Sequence, residues 1–151
     1  MAQTNEPLLS VKGLKQYFPV SKKFTVRAVD NISFDIYPGE TYGLVGESGS
    51  GKSTTGRSII RLYDPTEGTI LFNGEDISKK LTAKQEKMLR SDMQMVFQDP
   101  MASLNPHKKI LDTIAMGLDA HHPHMDQKER VERVSKMMEM VGLNPAYMNR
   151  Y

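Results

Sequence analysis

Gly46-Glu47-Ser48-Gly49-Ser50-Gly51-Lys52-Ser53-Thr54 places a glycine, four residues, then Gly-Lys-Ser, and this spacing makes a phosphate cradle. Glycines at 46, 49 and 51 let the backbone turn tightly with successive N–H groups facing inward, since no Cβ opposes positive φ or close ligand approach. Polyphosphate oxygens suit those amides as acceptors. Lys52 adds a mobile cation for the β- and γ-phosphates and Ser53 a hydroxyl for Mg2+, while a helix starting here would aim the positive end of its dipole at the same anion. A merely flexible Gly/Ser loop is the competing reading. The flanks oppose it: Thr41 to Val45 reads as a short buried strand and Ser53 to Leu62 as a helix, the order of elements a cradle requires.

Composition is consistent with one modest domain. The chain has 151 residues, 38% hydrophobic and 25% charged, enough to bury a core. A formal charge of +2 gives no reason to expect nucleic acid or an anionic membrane as a partner. The absence of cysteine excludes disulfides and cysteine metal sites and is compatible with a reducing cytosol. No apolar run approaches the roughly 20 residues that cross a bilayer. Met1 to Pro7 is polar and lacks the apolar centre of a secretory signal.

Leu8 to Leu14 predicts a first strand, running into the rings of Tyr17 and Phe18 before Pro19. Either ring could stack on a base, although packing at a strand end is the commoner use. Ser21-Lys22-Lys23 reads as a solvated turn, and Phe24 to Tyr37 as two strands separated by Asp30-Asn31. Ile32, Phe34 and Ile36 alternate with polar neighbours, as in a half-buried strand. Pro38-Gly39 has type II turn chemistry. The following Thr41 to Val45 is apolar without alternation, as in a parallel strand covered on both faces. Beyond the helix, Asp64-Pro65 stops regular structure, and Asn73-Gly74 between Thr69 to Phe72 and Glu75 to Ile77 predicts a type I′ hairpin. Lys79 to Arg90 is a polar helix, and Met93 to Phe97 a short buried strand ending at Gln98-Asp99-Pro100. Ala102 to Lys109 is irregular, and helical composition begins at Ile110. Gln127 to Val141 is punctuated by an Asp126/Glu129 capping box and a Gly142 stop, with an apolar stripe of Val131, Val134, Met138 and Val141.

Other signals carry less. His121, His122 and His124 lack a supporting carboxylate or cysteine, and Pro123 interrupts any helix, so they read as a solvated loop. The methionines at 137, 138 and 140 read as filling for an amphipathic helix. No Ser/His/Asp constellation, catalytic carboxylate pair or internal repeat is found, and the guanine-reading Asn-Lys-x-Asp of GTPases is missing, as is the lid arginine pattern of P-loop kinases.

The cradle together with Val96-Phe97-Gln98-Asp99-Pro100 resembles the ATP-binding subunits of ABC transporters. Three finer features resemble the oligopeptide/dipeptide importer branch: the run Gly43 to Gly49, Ser53-Thr54-Thr55-Gly56-Arg57, and Ala102-Ser103-Leu104-Asn105-Pro106 after the glutamine. The resemblance covers essentially the whole chain. It implies an α/β P-loop NTPase fold of the ABC type, with a nucleotide-binding core over 1–105, including an antiparallel β-subdomain, and the beginning of a helical subdomain over 106–151. The ligands it implies are ATP and Mg2+. ATP would be held by Gly46, Glu47, Ser48, Gly49, Ser50, Gly51, Lys52, Ser53 and Thr54, with Phe18, or Tyr17 one position away, stacking on adenine. The metal would be held by Ser53 and Gln98, the latter matching the Q-loop glutamine. The implied partners are a second ATP-binding subunit and membrane-spanning permease subunits received through a coupling helix, on the cytoplasmic face of the cell membrane.

Some family features are missing from these residues. There is no LSGGQ-like signature, no run of four apolar residues followed by Asp-Glu, and no switch histidine downstream. Lys52 and Gln98 would contribute to hydrolysis without completing it. The resemblance therefore implies a chain that binds Mg-ATP weakly and does not turn it over at a useful rate, and whose strand Thr41 to Val45 lacks flanking strands on one side. A non-catalytic nucleotide-binding module and a soluble ABC protein unconnected with transport are the alternatives that the residues leave open.

Overall fold

Alternating apolar residues and a two-residue turn at Lys22-Lys23 give a long hairpin of β1 (Leu9–Ser21) and β2 (Phe24–Ile36), and this hairpin is the base of the fold. The computed structural model describes residues 6–99 and 104–151, in two units, Met1–Met95 and Val96–Tyr151, each with its own core. In the first unit β3 (Glu67–Phe72) and β4 (Glu75–Asp76) extend the hairpin to a sheet of order β2-β1-β3-β4, antiparallel throughout. Helix α1 (Lys52–Ile59) packs against β1 and β2, and Leu89 of α2 (Ala83–Asp92) joins Val11, Leu14, Ile70 and Ile77 in the core. Leu14 and Ile70 are fully buried, so truncating either to alanine would cost about 2–5 kcal/mol.

Local chemistry explains the element ends. Asn73 (φ 50) and Gly74 (φ 78) both adopt the left-handed conformation expected of a type I′ turn. Gly39 (φ 78) follows Pro38 as a type II turn requires, closed by the Glu40 N–H donating to Tyr37 O at 3.1 Å. Helix α2 begins at a full capping box: Thr82 Oγ1 accepts from the Gln85 N–H, and Gln85 Oε1 accepts from the Thr82 N–H. Thr82-x-x-Gln85 is the sequence signature of this box. Helix α1 ends in a Schellman arrangement. The Arg61 N–H donates to Ser58 O and the Leu62 N–H to Arg57 O, with Arg61 itself at φ 61 where glycine is usual. The Arg61 side chain, 4% exposed, donates to Ser78 O, Lys79 O and Asp64 Oδ1, which offsets the cost of that backbone conformation.

Several expectations are corrected. Phe24–Ile36 is one strand rather than the two expected over Phe24 to Tyr37, because Asn31 takes φ 58 and absorbs the irregularity within β2. Thr41 to Val45 and Met93 to Phe97 are not strands: neither finds a hydrogen-bonding neighbour among the described residues, and a strand exists only by pairing. Val45 is 91% and Val96 97% exposed, while Tyr42 stacks on Phe34 at 4.9 Å and Met93 is half-buried against the first core. The irregular stretch expected over Ala102 to Lys109 lies partly outside the described residues, and from 104 to 109 it is irregular.

The second unit holds α3 (Ile110–His121), α4 (Gln127–Met140) and a 3-10 turn at Pro145–Tyr147. Leu111 and Ala115 of α3 meet Val134 and Met138 of α4. The first amides of α3 are satisfied by the chain's own later residues, Ile110 donating to Arg150 O and Leu111 to Met148 O. Asp126 caps α4 by accepting from the Lys128 and Glu129 amides, but the expected reciprocal bond is replaced: the Glu129 carboxylate pairs with Arg133 at 2.6 Å. Gly142 (φ 74) ends α4 as expected, through Gly142 N–H to Glu139 O and Leu143 N–H to Met138 O. Val141, expected in the buried stripe, falls beyond the last helical residue and is 71% exposed.

Arg130 ties the two helices together. Its Nε and one terminal nitrogen donate to the two carboxylate oxygens of Asp119 at 2.9 Å each, and both terminal nitrogens reach Asp112 Oδ1 at 3.2 Å. This bidentate bond holds the Asp119 carboxyl below its ordinary value, and the same bond, with Asp112, raises Arg130. A depressed carboxyl stabilises the fold above its unfolded value, near 3.9, and loses that contribution as pH falls through the lower folded value. Amide protection of α3 and α4 should therefore weaken below about pH 4, and Asp119→Asn should remove that component of the pH dependence while lowering protection at pH 7, both read by hydrogen exchange.

Candidate functional site

The cradle forms because its glycines take backbone positions closed to other residues. Gly49 (φ 81) and Gly51 (φ 91) are left-handed, and the Ser50 N–H donates to Glu47 O at 3.2 Å to close a turn over 47–50. Behind the loop, β2 carries a bulge: Gln16 opposes Val29 and Tyr17 opposes Arg27, so that Ala28 is the extra residue. A Cβ on Gly51 would stand 2.2 Å from the Ala28 carbonyl oxygen, and one on Gly46 2.6 Å from Ser50 Oγ. Backbone therefore lies directly against backbone where the loop becomes α1.

Lys52, the first residue of α1, folds over the loop. Its ammonium donates to Gly46 O at 2.7 Å, Glu47 O at 2.5 Å and Ser50 Oγ at 3.2 Å, using all three protons. The α1 N-terminus has no side-chain cap and no acidic residue in its first turn. The earliest amides of a helix have no intrahelical acceptor, so this end offers donors, a positive dipole end and an ammonium together. That donor set fits an anion with several oxygens, which would take the ammonium over from the loop oxygens it now holds. Ser53 is exposed on the same turn, and the Thr55 N–H and hydroxyl both reach Gly51 O, at 2.8 and 3.0 Å. Buried Ser58 anchors the helix, its hydroxyl 3.1 Å from Gln16 Oε1 on β1 and 2.9 Å from Thr54 O.

The two candidate rings diverge. Leu14, Gln16 and Phe18 share one face of β1, and Gln16 shows that this face meets α1. Phe18 is half-buried, its ring 5.3 Å from that of Tyr63 at 82°. Tyr17 points the other way: its hydroxyl donates to Asp30 at 2.5 Å, which raises the phenol above its usual value, and the Arg27 guanidinium lies 5.4 Å from its ring centre. Gln98 is an exposed residue of the second unit, and residues 100–103 of the motif that follows it lie outside the described residues.

The structure thus gathers Gly46 to Thr54 into one loop and helix turn and sets Phe18 on the sheet face that meets the same helix. Sequence reading missed three contributors. Ala28 acts through its carbonyl and carries no side-chain signal, the Gln16–Ser58 bond joins residues distant in sequence, and Tyr63 follows the helix with no local pattern that marks it.

A glycine loop leading into a helix, with lysine folded over the loop carbonyls, defines the P-loop class of phosphate-binding proteins. The chain belongs to the ABC transporter family, whose profile matches residues 29–151. It is 56% identical over 146 residues to the oligopeptide transport ATP-binding protein OppF of Bacillus subtilis, covering 97% of this chain and 48% of that protein. Against the dipeptide transport ATP-binding protein DppF of Lactococcus lactis it is 46% identical over 146 residues, covering 95% and 46% respectively. The chain spans about half the length of the curated relatives it matches. Among solved structures it is similar to the post-hydrolysis dimer of the ATP-binding cassette MJ0796 bound to ADP and Pi, with a TM-score of 0.80 at 25% identity over 94% of this chain and 60% of that one. The expected ABC-type P-loop fold and the resemblance to peptide-importer ATP-binding subunits both stand.

The Gly51 contact gives a direct test. Gly51→Ala should destabilise the protein by roughly 1–3 kcal/mol and abolish binding of inorganic tripolyphosphate. Gly117→Ala, in α3 with nothing within 4 Å of the added methyl, should instead stabilise by up to about 1 kcal/mol. Urea unfolding and calorimetric titration read the two effects.

Proposed function

We propose that this chain is the ATP-binding part of an ABC transporter subunit that energises uptake of peptides or similar small solutes. The observation that carries the reading is the cradle: Lys52 over the Gly46 and Glu47 carbonyls at an uncapped, acid-free helix N-terminus suits the terminal phosphates of a nucleoside triphosphate. The transport context is supported by the relatives named as oligopeptide and dipeptide transport ATP-binding proteins. Phe18 is the base-stacking ring in this reading. It lies on the face of β1 toward α1, whereas Tyr17 is engaged with Asp30 and Arg27. Ser53 on the first turn of α1, and Gln98, would hold Mg2+, which when bound neutralises charge on the β- and γ-phosphates.

Residues 1–105 then serve as the nucleotide-binding core and 106–151 as the beginning of a helical subdomain. The partners are a second ATP-binding subunit and membrane-spanning permease subunits that hold the protein at the cytoplasmic face. No helix among the described residues is long and apolar enough to cross a membrane itself.

Hydrolysis needs an oriented water and a general base besides phosphate positioning, and the motifs that supply them in the family are not in these 151 residues. The chain alone should therefore bind Mg-ATP in calorimetry, lose at least tenfold in affinity on Lys52→Ala, and release no phosphate above background. Phosphate release that disappears with Lys52→Ala would overturn the division of labour proposed here.

A further inference from the structure

We infer that Tyr63, carried on the exit from α1, is a positioning residue for the nucleotide base: its edge-to-face contact fixes the plane of the Phe18 ring. The inference rests on the reading of Phe18 as the base-stacking ring. Two rings whose centres lie 5.3 Å apart at 82° hold each other in the T-shaped arrangement favoured by their quadrupoles, and both stay half-exposed, leaving Phe18 surface for a ligand. A lone half-exposed phenylalanine on a strand samples more than one rotamer. A ring braced at right angles does not, and a base stacking on it loses less entropy.

Tyr63 can act as a brace because its own backbone is fixed on both sides. On the helix side, left-handed Arg61 reverses the chain, and its buried guanidinium is held by Ser78 O and Lys79 O at 3.0 and 3.1 Å. The Tyr63 N–H donates back to Arg57 O at 3.3 Å. On the strand side, the Thr66 N–H donates to Lys15 O at 2.9 Å, and Thr66 Oγ1 accepts from the Tyr17 N–H at 2.9 Å, directly beside Phe18. Lys15 and Glu67 add an ion pair at 2.6 Å. The segment from 61 to 67 is thus clamped to the same stretch of β1 that carries the stacking ring. The other end of α1 is the phosphate cradle, so one helix presents the phosphate donors at its start and the brace for the base at its finish.

Inorganic tripolyphosphate reads the cradle alone, and ATP reads the cradle together with the base platform, so calorimetric titration of both separates the roles. Tyr63→Leu should weaken ATP about two- to tenfold, the range of an edge-to-face pair, and leave tripolyphosphate within twofold. Tyr63→Phe, which keeps the ring, should stay within about twofold for both ligands. Phe18→Ala should weaken ATP about five- to a hundredfold with tripolyphosphate unchanged. If Phe18→Ala weakens ATP and Tyr63→Leu does not, the positioning role is overturned and the Phe18 reading survives. If Tyr63→Leu weakens both ligands alike, Tyr63 supports the fold only and the inference fails. If Phe18→Ala leaves ATP affinity unchanged, the Phe18 reading falls and this inference falls with it.

Discussion

Between the last residue of the phosphate loop and the bulge of β2 there is no room for a side chain. Gly51 meets the Ala28 carbonyl backbone to backbone, and this contact decides where α1 begins relative to the sheet. Everything at the site depends on it. Lys52 follows at once and can fold over the Gly46 and Glu47 carbonyls only because the helix starts there, and Ser58, two turns along, is carried into contact with Gln16. The bulge matters as much as the glycine, since an unbroken β1–β2 ladder would spend the Ala28 position on strand pairing.

Much of this was legible in sequence, for identifiable reasons. Glycines that need positive φ leave a spacing signature, as at Gly49, Gly51 and Gly142, and so do turns such as Asn73-Gly74. Caps were read less well: the Asp126 cap forms with only half of its box, because Glu129 has a closer cation in Arg133, while the complete box at Thr82 went unread. The largest misreadings concern pairing. Apolar content predicts that a segment will be buried as a strand, but pairing requires a neighbour, and Thr41 to Val45 and Met93 to Phe97 find none among the described residues. At the site, residue types with dedicated chemistry were found, whereas Ala28 and Tyr63 contribute by position and shape, which one sequence does not encode locally.

The second unit follows a different logic, with one half-buried cation, Arg130, as its hub. Arg130 satisfies Asp119 and Asp112 on the facing helix, and the backbone near the end of the described chain caps the start of α3. With Leu111, Ala115, Val134 and Met138 the buried apolar residues among those described in this unit, its core is small, so polar fastening carries more of its definition than in the sheet unit.

Helix α1 has eight residues, about 12 Å at 1.5 Å per residue. Its two ends are each locked, by Gly51 against β2 and by Arg61 in its left-handed turn. The helix therefore behaves as a ruler that cannot be lengthened by one unit: an added residue would advance the exit by about 1.5 Å and rotate it by about 100°, swinging Tyr63 off the ring it braces. Substitutions along the outer face of α1 leave that length unchanged, but any change in residue count breaks the register between its two ends.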